Sequence, residues 1–263
     1  GVGLRRSDTK EPIAIVSDSY EPVQYLALVE NLEQSISMSG IDLDGADFET
    51  NLIGNGEQLE LTAKFNAEAT TIDGRHDTVI PQFKFRTSHN RTWANNGMMG
   101  YFRSACYNTL VDGNKLAYVY GRHSKNFSVS SFASKIRAAS DFIANDGMDQ
   151  MKMWYNTPVH RDQAISLFSN TLAKRMDNVT KAQVPNKVML SNLMKTFDEE
   201  NRHIIGQGNY EKYGQRTEGT LWTAYQAATA WSTHVPKENT RVLREDKVRK
   251  MMASTHWKSL ETV

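Results

Sequence analysis

Between residues 48 and 105 apolar and polar side chains alternate in short runs; from residue 131 onward the apolar ones recur every three or four positions. Alternation is the period of a strand with one buried face, and the longer spacing is that of a helix with one buried stripe. A chain that changes period once, strands first and helices after, reads as α+β rather than as a doubly wound parallel sheet. The predicted fold is an antiparallel sheet of four to five strands with an N-terminal helix, followed by a mainly helical C-terminal half.

Ile13-Ala14-Ile15-Val16 predicts a short strand, and Tyr20-Glu21-Pro22 the start of a helix reaching about Gly40, its C-cap. The helix's apolar residues are Val23, Leu26, Leu28, Val29, Leu32 and Ile36, at helical spacing. Strands follow at 48–52, 58–65, 79–86 and 98–105, with Gly54-Asn55-Gly56 as a hairpin turn and Asp73-Gly74 as a second turn. Helical spacing links Phe132, Ile136, Ala139 and Ile143; Ala164, Leu167, Phe168 and Leu172; and Val188, Leu190, Leu193, Met194 and Phe197. A fourth helix over 221–231 ends before Pro236, and 124–131 reads as a flexible connector. Residues 1–130 form the sheet portion with a basic face and 131–263 the helical portion packed on it, as one continuous domain.

With 263 residues the chain can bury a substantial core. Its apolar runs are short and interrupted, which excludes a membrane-spanning helix. The single cysteine, Cys106, excludes a disulfide framework and fits a reducing cytoplasm. A start at Gly1-Val2-Gly3, without Met or a signal peptide, predicts that the numbering begins inside a longer reading frame.

Charge is divided unevenly. Residues 1–75 carry 5 basic and 14 acidic side chains, residues 76–145 carry 9 and 3, residues 146–220 carry 10 and 9, and residues 221–263 carry 7 and 4. In the basic segment Arg86, Arg91, Arg103, Arg122, Lys125, Lys135 and Arg137 are interleaved with aromatics including Trp93 and Phe127. Single-stranded nucleic acid is held by cations that follow the phosphates and by rings on which bases stack. Those nine residues are therefore the candidate nucleic-acid-binding set. The competing reading is a solvated basic face, with strand alternation burying about half of the aromatics.

Enzyme chemistry finds no intact site. The seven histidines lack the spacing that sets two imidazoles on one helix face, and Glu199 with His203 is better read as a solvated pair. Cys106 with His89 or His123 could form a thiolate–imidazole pair, but a lone cysteine among aromatics reads as core. Gly206-Gln207-Gly208 lacks the Lys-Ser/Thr of a phosphate loop. A metal nuclease needs several carboxylates, and residues 76–145 hold Asp77, Asp112 and Asp141 alone. The expectation is a non-enzyme with no metal and no cofactor.

Several strings resemble the phage/plasmid-like family known as domain of unknown function 932. They are Val16-Ser17-Asp18-Ser19-Tyr20; Ser88-His89-Asn90-Arg91-Thr92, where that family tends to Ser-His-Asp-Gly-Ser; Arg103-Ser104-Ala105-Cys106-Tyr107-Asn108-Thr109-Leu110; and Gly219-Thr220-Leu221-Trp222 with its helix closing on His234. The resemblance covers roughly residues 13–235. This chain departs from it at Asn90-Arg91, which stands for Asp-Gly, and at Gln226, which stands for Asn. The resemblance implies a setting of mobile DNA. The element order is also similar, at fold level, to phage single-strand annealing proteins of the lambda Red-beta and RecT kind. The function so implied is single-stranded DNA binding and annealing by a ring or filament of identical subunits, away from membranes. The alternative is a structural or protein-binding phage component.

Overall fold

The computed structural model describes residues 1–72, 77–103, 108–111, 118–121, 129–142, 146–204 and 219–262; for 108–111, 118–119, 121, 129–133, 140, 203–204 and 238 the description is of the backbone. In chain order the elements begin β1 (Val2–Arg5), β2 (Pro12–Val16), α1 (Tyr25–Met38), β3 (Asp47–Ile53) and β4 (Gln58–Lys64). They continue β5 (Thr70–Thr71), β6 (Thr78–Ser88), β7 (Asn95–Arg103), β8 (Asn108–Val111) and β9 (Tyr118–Gly121). The later part is α2 (Val129–Phe142), α3 (Met148–Asn156), β10 (Pro158–Val159), α4 (Arg161–Asn170), β11 (Lys174–Met176), β12 (Gln183–Pro185) and α5 (Lys187–Ile204). It closes with β13 (Gly219–Thr220), α6 (Leu221–Thr233), α7 (Glu238–Met252) and α8 (Thr255–Glu261). The fold is α+β as expected, with a sheet path β3-β4-β6-β7-β8 to which β5 and β9 are added. Among the described residues no helix is long and apolar enough to cross a membrane.

Two compact units divide the chain. The first is Gly1–Ala69, Ile80–Tyr101 and Asn114–Asn145; the second is Thr70–Val79, Phe102–Gly113 and Asp146–Val263.

In the first unit, β3 and β4 join through Gly54-Asn55-Gly56, all three at positive φ, a hairpin turn that glycine and asparagine tolerate. Opposed residues share a face, so Phe48 and Leu52 lie in rows with Ala63 and Leu59, and these continue into Phe83 and Thr87. Leu59, Leu61, Ala63, Phe83 and Phe85 of that face are buried. The other face opposes Glu60 to Arg86 and Thr62 to Lys84. It is not a solvent face: Gln58, Glu60, Gln82 and Lys84 are buried too.

Helix α1 presents Leu28, Leu32 and Ile36 inward at i, i+4 and i+8, and ends where Ser39 N–H donates to the Ile36 carbonyl before Gly40 at φ +82°. Leu26, expected in the apolar stripe, is 72% exposed. α1 packs on α2, whose Ile136 and Ala139 are buried.

The second unit is built around α6, buried on every side along Leu221 to Thr229 and packed by α3, α5, α7 and β8. A helix without a solvent face must satisfy its polar side chains internally. Thr229 Oγ1 donates to the Tyr225 carbonyl and Ser232 Oγ to that of Thr229. Trp154, Tyr225 and Trp257 cluster with ring centroids 5.1 and 5.2 Å apart, and both indole N–H groups donate to Glu261 Oε1 at 3.0 Å.

Thr220 caps α6, its hydroxyl accepting from Thr223 N–H at 3.2 Å. Gly219 before it is required by packing: a Cβ there would collide with Phe197 Cζ and lie 2.6 Å from Thr223 Oγ1. Phe197 is itself buried, so moving its ring disturbs the core around it. Gly219→Ala is expected to cost about 1–3 kcal/mol by overpacking, read as a lower urea midpoint. An unchanged midpoint would show that the ring has room to move.

Candidate nucleic-acid interface

Arg103 does not reach solvent, contrary to its place in the candidate nucleic-acid-binding set. It is 1% exposed at the end of β7, where its Nε donates to Asp77 Oδ1 and its Nη1 to Glu200 Oε2 at 2.7 Å and Gln226 Oε1 at 3.2 Å. Trp222 Nε1 donates to the other Asp77 oxygen at 2.9 Å, and the guanidinium carbon lies 5.8 Å from the Trp222 ring centre. A buried guanidinium needs this many acceptors, since an unpaired charge in low dielectric is prohibitively costly. The Gln for Asn departure at 226 thus places an amide oxygen on Arg103.

Arg86 is likewise internal. Its Nε donates to Glu60 Oε2 at 2.6 Å across the β4–β6 ladder, and both side chains are largely buried. Neither arginine presents a free cation to a phosphate, because the sheet face that alternation assigned to solvent is covered.

Arg91 is exposed, on a turn tied at many points. Asn90 Oδ1 accepts from the Thr92 N–H and hydroxyl, and Asn90 Nδ2 donates to Glu57 Oε2 at 2.7 Å. Trp93 N–H donates to Ser88 Oγ at 2.8 Å. The His89 ring stacks on Tyr25 at 4.3 Å, and burial pushes the Tyr25 phenol up. Arg91 has φ +68°, the left-handed region, where the resembling family tends to carry Gly. Asn90 can donate to Glu57 where an ionised Asp would repel it. Arg91→Val, β-branched, is expected to lose about 1–2 kcal/mol in urea unfolding while Arg91→Gly loses none; equal losses would refute the backbone argument.

Trp93, half-buried, shares Arg91's turn. Lys135 and Arg137 are exposed on α2, two positions apart and so on different sides of it. The Arg137 guanidinium lies 3.5 Å from where a Cβ on Gly40 would sit, at the C-terminal end of α1, where a cation complements the helix dipole. Arg122, Lys125, Phe127, Cys106 and the Gly206-Gln207-Gly208 loop lie outside the described residues.

The second unit holds cations that the segment-wise charge tally did not single out. The β11–β12 hairpin and α7 enclose a groove of about 520 Å³ lined by Lys174, Arg175, Lys247 and Lys250 and, among the described residues, by no carboxylate. Arg175, Lys247 and Lys250 are exposed, and Met176 beside them is 55% exposed. Lys250 also pairs with Asp246 at 2.6 Å on the helix surface. A second groove of about 400 Å³ between α4 and α5 is lined by Arg161, Lys187, Lys195 and Arg202, with Asp198 bonded to Arg161. Averaging over 146–220 hid Lys174, Arg175 and the cations of the second groove, whereas Lys247 and Lys250, in 221–263, were legible at i and i+3 as one helix face. Among the described residues no three His, Cys, Asp or Glu side chains converge as a metal site would require.

The family model described as Domain of unknown function (DUF932) matches residues 12–256. No curated protein and no solved structure matches the chain.

Proposed function

The chain belongs to the DUF932 family, and from that premise we propose that it binds single-stranded DNA, without a cofactor and as a homo-oligomer, in annealing or recombination of phage-type DNA. The observation that carries this reading is the groove of Lys174, Arg175, Lys247 and Lys250. Four cations converge on one concave surface, which is the electrostatic footprint a phosphate backbone requires. A strand gripped through its phosphates keeps its base edges turned outward, and pairing with a complement depends on that. Nothing in this role calls for bond-making chemistry.

The test is a titration of labelled single- and double-stranded oligonucleotides at several salt concentrations. Single strands are expected to bind, with a slope of log K against log salt of about −0.7 per phosphate neutralised, hence about −3 for four cations. No binding at low salt would refute the proposal. Binding of polyglutamate with none of DNA would assign the groove to an acidic protein partner instead.

A further inference from the structure

We propose that β3 is a self-association edge: two copies pair β3 with β3 antiparallel about a two-fold axis through Thr50, joining their first-unit sheets. This names a surface for the oligomer proposed above, and it is tested without nucleic acid, so the two ideas fail separately. β3 ends the strand order, and among the described residues it pairs with β4 alone. Its pattern is exposed at Asp47, Phe48, Glu49, Thr50 and Leu52. Sheet edges are normally blunted by charged side chains, Lys above all, by Pro or by a bulge; the sequence Asp-Phe-Glu-Thr-Asn-Leu-Ile carries the two carboxylates Asp47 and Glu49 but no Lys, Pro or bulge.

The side chains choose the register. With Thr50 opposite Thr50, Phe48 faces Leu52 of the second copy twice over, and Glu49 faces Asn51 twice over. Phe48 and Leu52, 39% and 56% exposed, belong to the face that buries Leu61, Phe83 and Phe85, so the pairing extends that apolar row across the axis. A slip by two residues one way sets Glu49 against Glu49, and the other way leaves Phe48 opposite Gly54. A slip by one turns the apolar residues to the opposite face. Of these registers the one about Thr50 alone sets Phe48 against Leu52 and opposes no like charges. Asp47 and Glu49 of both copies still crowd the other face, so the dimer tightens as salt rises. That is the opposite sign from DNA binding.

Light scattering on the size-fractionated full chain over a range of concentrations is expected to give a dimer at the upper end, strengthened by salt. Phe48→Lys removes two cross-strand pairs per dimer and weakens it about tenfold or more. Thr50→Lys, at an exposed site that leaves the fold intact by circular dichroism, sets two cations face to face and weakens it likewise. Thr50→Cys in a Cys106→Ser background cross-links through itself on oxidation, because opposed residues bring their Cβ atoms near disulfide range. A monomeric mass at every concentration overturns the proposal. So does a dimer indifferent to both lysines and not cross-linked through Cys at 50.

Discussion

Replacing Lys174, Arg175, Lys247 and Lys250 together by Ala is expected to weaken single-stranded DNA binding roughly hundredfold at physiological salt and to remove about 3 from the salt slope. Each phosphate contact contributes through the counterion it releases, so the four losses add and fall equally on all sequences. All four side chains line an open groove on β11 and α7, so the fold should survive their truncation. Fluorescence anisotropy at several salt concentrations reads both quantities. Arg86→Ala is the informative control: it breaks an internal pair with Glu60, so it should lower stability and leave the slope in place. Full binding by the fourfold variant would discard the groove as the interface.

The largest stability effect is expected at Arg103. Arg103→Met leaves Asp77, 2% exposed, without its guanidinium partner and strips Glu200 and Gln226 of a donor. Breaking a buried pair from one side costs about 3–5 kcal/mol, a fall in Tm of roughly 6–20 °C for a chain of this size. Adding Asp77→Asn should recover a good part of that loss, because the uncompensated charge goes with it. Thermal and urea unfolding measure both variants. A loss under about 1 kcal/mol from Arg103→Met would mean that the cluster is solvated and the arginine replaceable.

What the sequence by itself determined was local. Period two marked the strands, three-and-four spacing marked α1, α4 and α6, and Gly54-Asn55-Gly56 marked a turn that needs positive φ, because these signals are written in neighbouring residues. The motifs behind the family resemblance were readable too, and geometry supplies reasons for some of them: Gly219 makes room for Phe197, and Trp222 bonds Asp77. Alternation could say that Arg86 and Glu60 share a face, but not that this face is covered. Parity could set Arg103 on one side of a strand, but not disclose that Asp77, Glu200 and Trp222 wait there from three distant segments. The cationic groove was hidden for the same reason: Lys174 and Arg175 lie on a hairpin, Lys247 and Lys250 on a helix far along the chain. Only tertiary packing brings those charges to one surface, and only packing decides whether a cation meets solvent or a buried carboxylate.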